Sequence, residues 1–246
     1  MNSQTVIDVQ NVSVRFNLAK EKVDNLKEYC IKLFKGDLLF QEFFALKDVT
    51  FSVQRGESWG IIGRNGSGKS TLLKLICGIL KPYQGTVTCR GSIAPLIELG
   101  AGFDGQLTAR ENIYLNGAIL GHSRKYMGQH FDEIVHFAEI EKFVDVPIKN
   151  FSSGMKARLG FAVATTVQPE ILVVDEVLSV GDKDFQTKCQ RRMEHMLQSG
   201  VTLLFVSHNE AVVKKLCKKA LWLDRGQAAA DGECEAVCRA YRERAR

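Results

Sequence analysis

Residues 63–71 read GRNGSGKST, a run in which each residue type has a use in binding phosphate. Gly63, Gly68, Lys69 and Ser70 occupy the defined positions of GxxxxGK[ST]. The glycines, Gly66 among them, let the backbone close into a ring of inward N–H groups, too tight for side chains, that cradles a β-phosphate. Lys69 reaches the β- and γ-phosphates, and the Ser70 hydroxyl is placed to ligate Mg²⁺. Gly63, Arg64, Asn65, Gly66, Ser67, Gly68, Lys69, Ser70 and Thr71 are therefore the candidate nucleotide-binding loop. A second chemical group lies about 100 residues on, where the apolar run Ile171–Val174 ends in Asp175 and Glu176. Asp175 is placed to hold Mg²⁺ through water, and Glu176 to take a proton from an attacking water. A third follows Thr202–Val206, where His208 can hydrogen-bond a γ-phosphate or its product.

These residues work only if strands and helices aim them at one point. A phosphate loop must leave a strand and open a helix. Ser58–Ile62 (SWGII) reads as a short buried strand, and Thr71–Ile79 as a helix whose positive end faces the anion. Ile171–Val174 is continuous in apolar residues, as a central parallel strand covered on both faces would be. Acids at its C-terminal end then sit where open α/β sheets bind ligands.

The remaining chain supplies flanking units. Residues 5–16 and 45–53 alternate apolar and polar, which predicts a half-exposed antiparallel sheet. Phe16 ends the first of these strands, and its ring either offers a flat face to a nucleobase or packs against the strand edge. Between them lies an inserted amphipathic segment, about 17–44. Its Val23, Leu26, Cys30, Leu33 and Phe34 fall at helical spacing, and the apolar stretch LLFQEFF follows. Such a helix either packs on its own domain or meets a membrane partner or the headgroup layer. Residues 82–85 (PYQG) make a turn, and strand-like alternation returns after it. Residues 107–145 read mostly as helices, opened by a capping box of Thr108 and Glu111, within a helical subdomain of about 99–165. ALWLD, the turn at Arg225 and Gly226, and the residues after it form a hairpin, followed by a basic C-terminal helix.

Composition narrows the classes. Hydrophobic residues at 45% and charged residues at 25% are ordinary for a globular protein, and the net charge of +5 is spread along the chain. No nucleic-acid recognition motif appears, so no nucleic-acid partner is expected. No apolar run spans a bilayer, and the N-terminus has no signal-peptide core. The seven cysteines are odd in number and lack CxxC pairs, which predicts reduced thiols and neither a disulfide framework nor a zinc site.

One stretch is left over. Phe151 to Lys156 (FSSGMK) opens another helix, with Ser152 as its cap candidate, just before the Asp175 strand. A second anion-binding helix end suggests a site for another subunit's nucleotide. With the other motifs in this order, the chain resembles the nucleotide-binding subunits of ABC transporters over nearly its whole length. The resemblance implies an α/β fold, a phosphate-loop (RecA-like) ATPase core with an antiparallel β subdomain and a helical subdomain, all in one domain of residues 1–246. It also implies that two copies bind head to tail around two ATP molecules. Ser152, Ser153, Gly154 and Met155 then match the signature loop that contacts the partner's nucleotide, although Phe151 and Met155 depart from the usual LSGGQ wording. Asp182 corresponds to the dimer-contact aspartate and Phe16 to the aromatic that stacks on adenine. Glu98 or its neighbour takes the place of the usual Mg²⁺-facing glutamine.

Together with the insertion, the stretches ELGAGFDGQLTARENIYLNGAILG, FSSGM and VDEVLSVGDKDFQTKC are similar to the ATPase subunits of polysaccharide exporters. That likeness implies ATP hydrolysis with Mg²⁺ and a transmembrane permease partner in two copies. The cargo it implies is a lipid-linked polysaccharide, O-antigen first, then teichoic acid or capsule. The implied location is the cytoplasmic face of the bacterial inner membrane, peripheral and held by the permease. The chain ends near the close of the ATPase domain, so no C-terminal carbohydrate-binding domain is expected. The rival readings are an importer or another cargo, and a soluble ABC ATPase acting on ribosomes or DNA. A phosphate-loop GTPase is opposed by the lack of an [NT]KxD motif.

Overall fold

The computed structural model describes residues 4–19, 40–97, 100, 102–166, 169–175, 182–207 and 210–244. Alternation along the first two strands does what it predicts. β1 (Thr5–Ala19) and β2 (Phe40–Gln54) pair antiparallel from Thr5 opposite Gln54 to Ala19 opposite Phe40, burying Val9, Val12, Val49 and Val53 on one face. The ladder runs further than the side-chain pattern. Both ends of the expected insertion of about 17–44, residues 17–19 and 40–44, are strand, and its remainder, 20–39, lies outside the described residues. A strand ladder is made by backbone groups and continues where alternation stops.

β3 (Ser58–Ile62) leads through the phosphate loop into α1 (Lys69–Ile76), two residues earlier than the predicted start and three short of the predicted end. β4 (Gln84–Cys89) joins the far side of β1, completing a three-stranded antiparallel sheet in the order β2-β1-β4, and β5 (Ile93–Leu96) crosses to the second sheet. The helical region follows as α2 (Ala109–Ile119), α3 (Arg124–Gln129), α4 (Phe131–Ala138), two 3₁₀ turns, and α5 (Ser153–Thr166). The predicted capping box is present: Thr108 Oγ1 accepts from the Glu111 N–H, and the Glu111 carboxylate accepts from the Thr108 N–H at 2.8 Å.

The chain then alternates: β6 (Ile171–Val174), α6 (Lys183–Gln198), β7 (Thr202–Val206), α7 (Glu210–Leu216), β8 (Lys219–Asp224), β9 (Gln227–Glu233) and α8 (Cys234–Arg244). The six-stranded sheet has the order β5-β6-β7-β3-β8-β9, parallel except for the β8–β9 hairpin.

The pleat of that sheet divides two apolar cores. Leu172, Val174, Leu203, Phe205 and Trp222 face the core shared with the helical region and α8. Ile61, Val173, Leu204, Val206 and Leu221 face the core shared with α1 and the antiparallel sheet. Strands covered on both faces are fixed by packing from two sides, and the C-terminal ends of such strands are where open α/β sheets bind ligands. The six described cysteines are free thiols, as expected. Burial pushes Cys77 and Cys189 up to about 12, so neither is a ready nucleophile.

Candidate active site

The phosphate loop is shaped by what presses on it. A Cβ on Gly63 (φ +152°) would stand 2.3 Å from the Leu223 carbonyl oxygen, and one on Gly68 (φ +103°) would stand 2.6 Å from that of Ala45. Glycine is required at both positions by backbone conformation and by space. The β8–β9 turn holds the loop from behind, because the Gly226 N–H donates to the Ser67 carbonyl at 3.0 Å. Nothing in the GxxxxGK[ST] pattern announces that clamp.

Lys69 is 7% exposed, and its Nζ donates to the carbonyls of Gly63 at 2.9 Å and Arg64 at 3.1 Å. These bonds compensate burial of the ammonium and hold it beside the loop. α1 is capped by Gly68 with no side-chain hydrogen bond, so its first-turn N–H groups face outward as an anion seat.

The loop forms one end of an open cleft of ≈ 480 Å³. Asn65, Gly66, Gly68, Lys69, Ser70 and Thr71 of the loop line it together with Asp175 at the tip of β6 and with Phe16, Phe43 and Ala45 from β1 and β2. Phe16 is 38% exposed in this cleft, which favours the nucleobase alternative over edge packing. The cleft thus gathers the predicted aromatic, cation, hydroxyl and carboxylate from positions 16 to 175. Ser70 and Asp175 are hard oxygen donors on one wall, a donor set that suits Mg²⁺. Three further site predictions, Glu98, Glu176 and His208, lie outside the described residues.

The signature stretch forms a separate surface, and none of its residues lines the cleft. Ser152 and Ser153 are exposed, Gly154 and Met155 half-buried. Ser152 caps α5, its Oγ accepting from the Met155 N–H at 3.1 Å. Asp182 caps α6, accepting from the Phe185 N–H at 2.9 Å, and pairs with Arg158 at 2.7 Å. The Phe185 N–H, with Arg158 beside it, holds the Asp182 carboxyl below the usual range.

Arg158 also pairs with Glu139 and lies over the Phe185 ring, tying the signature helix to α4 and α6. Sequence reasoning missed it, since one arginine on a helix carries no mark of such a junction. It also missed Asn112, fully buried, whose Nδ2 donates to the carbonyls of Asp104, Leu107 and Thr108 and so ties the entry loop to α2. A polar residue on the apolar stripe of a capped helix was the available signal.

Beside the helical region lies a smaller apolar cleft of ≈ 140 Å³, walled by Pro95, Leu96, Ile97, Leu120 and Val163. Ile79 and Ile119 stand at its rim, 59% and 62% exposed.

A strand, glycine loop and helix seated against a parallel sheet, with an acid at the end of a neighbouring strand and an antiparallel sheet carrying an aromatic, define a nucleotide-binding cassette. The family model described as ABC transporter matches residues 46–179, and the chain belongs to that family. Among curated relatives, it is 40% identical over 246 residues to the O-antigen export system ATP-binding protein RfbB of Klebsiella pneumoniae, covering 98% of each chain. It is 41% identical over 237 residues to the teichoic acids export ATP-binding protein TagH of Bacillus anthracis, covering 96% of this chain and 42% of that one. Among solved structures, the dimeric ATP-binding cassette MJ0796 bound to ADP and Pi superposes with a TM-score of 0.74 at 22% identity, over 93% of this chain and 98% of that one.

Proposed function

We propose that this chain is the ATP-binding and ATP-hydrolysing subunit of an ABC transporter that exports a lipid-linked polysaccharide, O-antigen in the first place, across the bacterial inner membrane. The observation that carries the ATPase reading is the single cleft joining Phe16, Lys69, Ser70 and Asp175. The cargo rests on the likeness to O-antigen export proteins. Teichoic acid is the second reading, favoured by the likeness to TagH.

In this reading the loop amides and Lys69 hold the β- and γ-phosphates, and Phe16 stacks on the base. Ser70 and Asp175 would hold Mg²⁺, with Glu98 or its neighbour in the place of the family's glutamine. When bound, the ion offsets charge on the phosphate oxygens. Glu176 orients the attacking water and takes its proton, and His208 bonds the γ-phosphate. No covalent protein intermediate is needed. The Ser152–Met155 helix end serves the nucleotide of a second copy, with Asp182 at the contact between copies, so that hydrolysis requires the closed pair.

The apolar cleft with Ile79 and Ile119 at its rim supports docking of the permease, two copies of which complete the transporter. Among the described residues no helix is long and apolar enough to cross a membrane, which accords with attachment through that partner at the cytoplasmic face.

The test is Glu176→Gln. The purified variant should bind ATP and hydrolyse it about 100-fold more slowly or worse, as expected for loss of a general base. In the source cell it should abolish surface polymer while lipid-linked glycan accumulates inside. Normal turnover would remove Glu176 from its role. Unchanged surface polymer with a well-expressed, inactive variant would remove the export reading.

A further inference from the structure

Phe43 forms a second aromatic wall of the cleft, and nothing in the sequence motifs marks it. It stands directly across from Phe16 in the β1–β2 ladder, so the two side chains share one face of the sheet. Phe43 is 47% exposed, and both rings line the same cleft as Lys69 and Ser70. The neighbouring pair shows that this placement is not shared by every aromatic in the stretch. Phe44, opposite Arg15, turns to the other face, where its ring meets Tyr83 edge-on at 6.3 Å and Arg15 lies over Tyr83 at 4.2 Å.

An irregularity in β2 makes the choice between the two phenylalanines. The register steps from Val14 opposite Leu46 to Arg15 opposite Phe44, skipping Ala45. Without that bulge Phe16 would face Phe44. The skipped residue lies close against two glycines: the missing Cβ of Gly68 and that of Gly226 both leave room for the Ala45 carbonyl, and the Lys47 N–H donates to the Gly226 carbonyl at 2.8 Å. The strand that presents Phe43 is thus packed closely against the phosphate loop and the β8–β9 turn.

We infer that Phe43 is a base-binding residue, which with Phe16 gives the cleft two aromatic surfaces for the nucleobase. Among the described residues that line the cleft these two are the aromatic ones, so ring area is what it offers a base. This inference rests on the nucleotide-binding reading above and extends it to a named residue.

The experiment is a calorimetric titration of the purified chain with ADP and, separately, with pyrophosphate, which lacks the base. Phe43→Ala should weaken ADP about tenfold, the scale of one base–aromatic stack, and leave pyrophosphate affinity unchanged. Phe43→Trp should keep ADP affinity and show indole emission that changes with ADP and not with pyrophosphate. Unchanged ADP affinity in Phe43→Ala would overturn the inference. So would an equal loss for both ligands, since that would make Phe43 a support for the loop. A wild-type chain that binds pyrophosphate no more weakly than ADP would also overturn it, and one that binds neither would overturn the nucleotide reading itself.

Discussion

Two helices of this protein begin with small residues and face a proposed phosphate, yet their first turns are finished differently. α1 starts from Gly68 in a left-handed conformation, with no side chain over its amides and Lys69 folded against the loop. α5 starts from Ser152, which bonds the Met155 N–H itself. The first end is open and pre-shaped by β2 and β8. The second is satisfied by its own serine, so a ligand there must displace or share that bond. The difference separates a seat that one chain completes from a surface that becomes a seat only when a second copy brings the ligand.

The largest expected effect tests the open end. Lys69→Ala should reduce ATP affinity on the order of 100-fold, the upper range for a charge-assisted hydrogen bond, by equilibrium titration. Affinity retained near wild type would mean that the helix end and loop amides suffice, and would weaken the contrast.

Glycine substitutions sharpen it next. Gly68→Ala forces a side chain into a left-handed position and against Ala45, at a cost of about 2 kcal/mol in chemical denaturation. Gly154→Ala meets only Ser152 Oγ at 3.8 Å, inside the first turn of a helix, and should leave stability equal or slightly higher. Its turnover should nevertheless fall if this surface serves the second copy. Equal stability losses at the two glycines would erase the distinction.

Removing the self-made cap is a smaller change. Ser152→Ala should cost about 1 kcal/mol of stability, as lost N-caps do. It should leave nucleotide affinity of the single chain unchanged while lowering turnover in concentrated protein. Lower affinity in the single chain would place Ser152 at its own cleft.

The smallest effect concerns Asp182, whose carboxyl is held low by the Phe185 N–H and by Arg158. A lowered folded-state value contributes stability above the ordinary carboxylate range and loses it as pH falls through the folded value. Asp182→Asn should therefore melt slightly below wild type at neutral pH, and the gap should close below about pH 4. No gap at neutral pH would mean that the cap, which asparagine keeps, and not the charge carries the contribution.

Much of this was legible because backbone demands leave direct marks in sequence. β3, β6 and β7 run between the residues expected, since short, mostly apolar runs bounded by polar residues or a glycine loop have few other readings. The Thr108–Glu111 box and the Ser152 cap are local hydrogen bonds, and local bonds are written in neighbouring residues. β1 and β2 run past the alternating residues because a ladder is extended by its partner strand and not by its own pattern. Arg158 escaped notice because its partners, Glu139 and Asp182, come from other elements.

By itself the sequence determined the phosphate loop, the strand before it and the acid that would join it, because glycine freedom, burial on two faces and a short polar terminus each admit few residue types. Only the tertiary structure decided which of Phe43 and Phe44 looks into the cleft and how the loop is clamped. A one-residue skip at Ala45 reverses the face of every residue beyond it, and the skipped residue lies against Gly68 and Gly226, both distant in the chain.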